Sequence, residues 1–146
     1  MTQPLNGDLE CWWPPQSPFQ IFYSRLVLEQ IRLAVVAAYL LVPRGGLEIG
    51  GVLLGKYRER HVEVLDHQPL DCEHAFGPSF SLSARDQERL KDLLAKVRHK
   101  TAGLEPVGWY HSHTRSEIFL SDVDLDIHKH FFPEPWQVAL VSRRVI

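Results

Sequence analysis

His111 and His113 flank Ser112 at the end of the apolar run Val107 to Tyr110, and Ser121 and Asp124 follow shortly after. In a strand, residues i and i+2 project to one face, so the two imidazoles can stand side by side while Ser112 points away. A carboxylate from the first turn of a following helix, Asp124, is the most economical third donor. Two neutral imidazoles and one carboxylate leave a fourth tetrahedral position open, which is the donor set of a hydrolytic zinc site; the cofactor this implies is Zn2+. Water held at such a site needs a base to take its proton and return it to the leaving group. Glu48, heading Glu-Ile-Gly-Gly-Val-Leu-Leu-Gly, is the candidate, because a glycine-rich strand can approach the histidine strand closely. The Ser121 hydroxyl can donate to a carbonyl oxygen as it becomes tetrahedral.

Each feature also has a plainer reading when taken alone. A His-x-His pair serves equally well in ordinary hydrogen bonds. Ser121 with Asp124 reads as a helix capping box, and Glu48 as a surface carboxylate. His128, four residues after Asp124 on the same helical face, can approach the metal, but it reads as a packing or exposed histidine because three donors are already supplied. Cys72 and His74 lack a second pair and read as loop residues.

The positioning elements follow from periodicity and punctuation. Residues 1–20 hold four of the ten prolines, so an extended arm is expected, with Trp12 and Trp13 docked on the domain surface. From Ser24, a plausible N-cap, Leu26, Ile31, Ala34, Val35 and Ala38 fall near one helical stripe, which Pro43 and Gly45-Gly46 end. The Glu48 strand and the alternating run His61 to Leu65 form a hairpin around a polar turn at 57–60. A second helix starts at Ser83, where Ser-Ala-Arg-Asp resembles a capping box, and buries Leu90, Leu93, Leu94 and Val97 before Gly103. Pro106 introduces the histidine strand. Ser121 starts a third helix carrying Val123, Leu125, Ile127, Phe131 and Phe132, and Trp136 to Val141 is strand-like. These elements make one α/β domain of mixed strand and helix order, without repeats. The last strand leaves a sheet edge uncovered, which calls for another copy or chain (a homo-oligomer), or an additional C-terminal segment of a longer protein.

Bulk properties narrow the classes. At 146 residues, 45% hydrophobic and 23% charged, the chain suits one globular domain. With 16 basic and 18 acidic residues, net −2, no large positive field exists to neutralise phosphates, so nucleic acid is not an expected partner. The unpaired contexts of Cys11 and Cys72 fit a reducing compartment. There is no signal-peptide pattern and no apolar run long enough to span a bilayer, so no membrane partner and a cytoplasmic location are expected.

Glu48 with Gly51, Leu53 and Gly55, then His111-Ser112-His113, seven residues, Ser121, two residues and Asp124 together resemble the JAMM motif of the Mov34/MPN/PAD-1 (JAB) metalloproteases, over about residues 20 to 145. The resemblance implies an MPN/JAB-like domain at 21–146 behind the 1–20 arm, with a central mixed β-sheet flanked by helices in a cytidine-deaminase-like architecture. It also implies a zinc metallopeptidase cleaving peptide or isopeptide bonds at the C-terminus of ubiquitin-like proteins. His111, His113 and Asp124 would hold zinc, Glu48 would be the general acid and base, and Ser121 would support the oxyanion. Eukaryotic deubiquitinating members commonly carry proline after the second histidine and then a glycine. This chain has Thr114 there and no glycine before Ser121, so Arg115, Ser116 and Glu117 would line the approach. In this it is similar to compact prokaryotic members that process ubiquitin-like or sulfur-carrier proteins. The rival expectation is an MPN scaffold domain that pairs with proteins and hydrolyses little. A deaminase-type hydrolase lacks its cysteine pairs here.

Overall fold

The structure, a computed structural model, describes residues 9–40, 47–73, 80–100, 103–113, 118 and 120–143. The expected turn at Pro43 to Gly46, the loop positions His74 and Gly77-Pro78, and the Thr114 to Glu117 segment lie outside the described residues.

Among the described residues nine elements follow in order: β1 (Leu9–Trp12), β2 (Gln20–Ser24), α1 (Arg25–Leu40), β3 (Gly50–Arg58), β4 (His61–Leu70), α2 (Ala84–Lys100), β5 (Glu105–His113), α3 (Asp122–Phe131) and β6 (Val138–Arg143). The six strands form one mixed sheet in the order β1-β2-β4-β3-β5-β6. The β2–β4 and β5–β6 pairs are parallel and the others antiparallel.

The sheet has an apolar layer on each face. On one, α1 contributes Val27, Ile31 and Val35 against Leu53, Val62, Val64, Val107 and Tyr110. On the other, Leu90 and Val97 of α2 and Ile127 of α3 pack with Val52, Leu54, Phe80, Trp109 and Phe132. Capping decides where the helices begin. The Val27 amide donates to Ser24 Oγ at 3.3 Å. At α2, Ser83 and Asp86 exchange bonds, Asp86 N to Ser83 Oγ at 3.1 Å and Ser83 N to Asp86 Oδ2 at 3.2 Å. Both helix starts agree with the sequence reading.

The stripes differ in detail. Val27 takes the buried place expected of Leu26, which is 63% exposed, because the cap at Ser24 sets the stripe at 27, 31, 35 and 38. In α3 the inward positions are Asp124 and Ile127, so Val123 and Leu125 turn outward. A helix that presents a carboxylate inward rotates its neighbours, about 100° per residue, away from the core.

Strands β1 and β2 were absent from the sequence reading. Leu9–Trp12 pairs with Ile21 to Ser24 as a sheet edge, and Pro14 and Pro15 fall in the connection where no ladder bond is required. Trp12 and Trp13 are 55% and 64% exposed, contrary to the expected docking. Ladder pairing, together with the Trp13 indole N–H on the Ser17 carbonyl at 3.0 Å, holds them instead of burial. The β3–β4 hairpin is present with a tighter turn than expected. Only Glu59 and Arg60 lie between the strands, both left-handed at φ 50° and 68°.

Candidate metal centre

Strand β5 sets the site, and an irregularity sets β5. Leu53 opposes Gly108 while Leu54 opposes Pro106, which leaves Val107 as one extra residue. Strict alternation would place Val107 on the same face as His111. With the bulge, Val107 joins the α1 layer while Trp109 joins the layer of α2 and α3. His111 stacks on that Trp109, which puts it on the face that α3 covers.

Asp124 reaches it because α3 is capped tightly. Ser121 Oγ accepts from Asp124 N at 3.1 Å, and Asp124 Oδ2 accepts from Ser121 N at 2.9 Å. The capping box and the site reading are therefore two aspects of one arrangement, since the box is what aims the carboxylate. His111 Nε2 lies 3.0 Å from Asp124 Oδ2 and 3.0 Å from His113 Nε2, and His113 Nε2 lies 3.4 Å from the same carboxylate oxygen. Donors bound tetrahedrally at zinc distances stand about 3.3 Å apart, so this triangle has the right size.

All three side chains are buried, at 1%, 6% and 2% exposure. Among the described residues His111 Nδ1 has no hydrogen-bond partner. In the metal-free protein Nε2 donates to the Asp124 carboxylate; moving the ring proton to Nδ1 would free the Nε2 lone pair for a cation shared with that carboxylate. Burial by itself pushes the Asp124 carboxyl up. The hydrogen bonds from His111 and from the Ser121 amide outweigh it and hold the group at about 2, ionised as a ligand must be. His111, His113 and Asp124 thus form a group that could hold a metal ion.

Glu48 lies two residues before β3 rather than opening it. The β3–β5 register pairs Gly50 with His111, and beyond it Ser112 N donates to Ile49 O while Ile49 N donates to Ser112 Oγ, both at 2.9 Å. Continuing that register by two residues sets Glu48 opposite His113. The carboxylate is buried, and its Oε1 accepts the Phe80 N–H at 2.9 Å.

His128 falls outside the donor triangle. Its Nδ1 accepts the Trp109 indole N–H at 2.9 Å, and burial lowers its pKa, so the ring is neutral with its proton on Nε2. Cys72 is equally uninvolved. Its thiol donates to the Leu70 carbonyl at 3.6 Å, and burial pushes it up to about 12. Two residues at the site were missed by sequence reasoning. Trp109 stacks on His111 at 4.6 Å and 12°, and Phe80 at 5.6 Å and 22°. A faint signal existed for Phe80, since Phe80-Ser81-Leu82-Ser83 alternates apolar and polar like a half-buried extended segment.

The family model for JAB1/Mov34/MPN/PAD-1 ubiquitin protease matches residues 25–133, a span that contains Glu48, His111, His113, Ser121 and Asp124. The chain belongs to this family. Among curated proteins it is similar to COP9 signalosome complex subunit 5 of Yarrowia lipolytica (strain CLIB 122 / E 150), 28% identical over 102 residues, which is 67% of this chain and 28% of that protein. It therefore spans under a third of that relative. The solution structure of protein DSY2949 from Desulfitobacterium hafniense has the same fold, with a TM-score of 0.55 at 20% identity, covering 82% of this chain and 71% of that one. The family includes hydrolases as well as members without catalysis, so activity has to be argued from the site.

Proposed function

We propose that this protein is a zinc-dependent metallopeptidase that hydrolyses a peptide or isopeptide bond, with the C-terminus of a ubiquitin-like or sulfur-carrier protein as the substrate class. The observation that carries the reading is the buried triangle of His111, His113 and Asp124, sized for zinc, with the buried carboxylate of Glu48 two residues before the neighbouring strand β3. A site kept only for scaffolding needs no base beside its metal donors.

His111 and His113 would bind zinc through Nε2 and Asp124 through its carboxylate. When bound, the ion supplies Lewis acidity and a water of lowered pKa. Glu48 takes the proton of the attacking water and passes it to the departing nitrogen. Ser121 Oγ accepts from Asp124 N, and a hydroxyl that accepts can still donate, so its hydrogen serves the carbonyl oxygen as negative charge develops there.

The test is a linear fusion of a diglycine-tailed ubiquitin-like protein to a reporter, incubated with wild type and with Glu48→Gln at equal zinc content. Wild type should cleave at the tail and stop when a chelator is added. Glu48→Gln should retain zinc and lose at least about a hundredfold in rate, the usual scale of a general acid-base contribution. Undiminished cleavage by Glu48→Gln would remove that residue from the mechanism.

A further inference from the structure

Metal-binding histidines are usually oriented by a hydrogen bond from their second nitrogen to a carboxylate or carbonyl. His111 has no such partner among the described residues. Two aromatic rings lie against the imidazole instead, Trp109 from its own strand and Phe80 from the segment between β4 and α2, the two rings also neighbouring each other at 6.1 Å. Trp109 is itself held by its indole bond to His128.

Phe80 does more than stack. It is 6% exposed, and the N–H of the same residue makes the buried bond to Glu48 Oε1. Strand β3 makes room for it, because a Cβ on Gly50 would strike Cε2 and Cζ of the Phe80 ring. Three residues after it, Ser83 N donates to Asp86 Oδ2 at 3.2 Å, and Glu73 N donates to Asp86 Oδ1 at 3.0 Å, so the 0% exposed Asp86 carboxylate holds both of these backbone points to the first turn of α2.

We propose that Phe80 is a positioning residue that joins the two halves of the centre, its amide holding the Glu48 carboxylate and its ring holding the His111 imidazole. A flat ring against an imidazole fixes the plane in which Nε2 points, the task a hydrogen bond at Nδ1 performs in other sites. One residue thereby sets the relative placement of base and metal donor. The turnover part rests on the metallopeptidase reading, whereas the metal part does not.

The experiment uses the full chain and the variant Phe80→Leu, which keeps the amide and most of the buried volume but removes the flat face. Zinc affinity is measured by competition with a chromogenic chelator. Phe80→Leu should bind zinc about tenfold more weakly, the scale seen when a ligand's orienting partner is removed. Leu90→Ala, in the same apolar layer but on α2, is the control. It should lower thermal stability while leaving zinc affinity within about twofold of wild type. On the fusion substrate, zinc-loaded Phe80→Leu should lose about tenfold in kcat with KM changed less than about threefold. The amide half is read by hydrogen exchange at Phe80. Protection should fall in Glu48→Ala and persist in Glu48→Gln, whose side-chain oxygen still accepts.

Zinc affinity of Phe80→Leu equal to wild type, a loss no larger than that of Leu90→Ala, or Phe80 exchange unchanged in Glu48→Ala would each overturn the proposal. A wild type that binds zinc but leaves the fusion intact counts against the metallopeptidase reading alone, because the affinity and exchange results still decide on Phe80.

Discussion

One oxygen of Asp124 meets His111, His113 and the Ser121 amide, so the residue serves the candidate donor group and the start of α3 together. In the zinc-free protein this has a definite pH signature. The folded value of about 2 lies below the ordinary 3.8, so the stabilisation is full above 3.8 and is lost as pH falls through about 2. A shift of that size corresponds to about 2 kcal/mol. Urea unfolding of chelator-treated protein should therefore show Asp124→Asn less stable than wild type by about 2 kcal/mol at pH 6, with the gap closing between pH 4 and 2. A gap independent of pH would mean that the carboxylate charge is not what α3 uses. At Cys72 the thiol pushed up to about 12 should resist alkylation by iodoacetamide at pH 8, while exposed Cys11 is modified. Mass mapping of the native protein reads this directly, and labelling of Cys72 at the rate of Cys11 would contradict it. The grouping of His111, His113 and Asp124 was legible in the sequence because it resides in side-chain type and spacing. Phe80 was not legible, because what it gives Glu48 is a main-chain N–H that every residue except proline carries, and its stacking exists only once β3, β5 and α2 have come together.

Among the elements, the helices could be read and the sheet only partly. Ser24, Ser83 and Ser121 announce helix starts through local hydrogen bonds, which depend on nearby residues alone. Strands β1 and β2 depend on partners elsewhere in the chain, and the prolines around them suggested an arm instead. The Val107 bulge was equally hidden, since alternation in the sequence does not reveal where a ladder gains a residue, yet it puts the histidines on the face of α3. The β3–β4 turn yields a prediction at this scale. Glu59 and Arg60 occupy left-handed backbone that costs a residue other than glycine about 1 kcal/mol. Arg60→Gly should raise stability by roughly 0.5 to 1 kcal/mol, the gain being reduced by the greater freedom of glycine in the unfolded chain. A lower Tm for Arg60→Gly would show that the Arg60 side chain contributes more than the strain removes.

For the molecule as a whole, the order β1-β2-β4-β3-β5-β6 places the site at the carboxyl end of β5, beside the parallel β6, and leaves β1 and β6 as the edges of the sheet. Among the described residues no helix is long and apolar enough to cross a membrane. A site whose three donors come from β5 and α3 exists only in the folded chain, so zinc should stabilise the fold by mass action. Free zinc at a thousand times its Kd adds about 4 kcal/mol, which for a domain of this size raises Tm by roughly 10 °C over the chelator-treated protein. A zinc centre built from His111, His113 and Asp124 is tested most directly by metal analysis of the purified chain. One zinc per chain, retained in Glu48→Gln and lost in His113→Ala, is the expected result. Zinc well below one per chain, or zinc content unchanged by His113→Ala, would contradict it and favour a protein-binding scaffold.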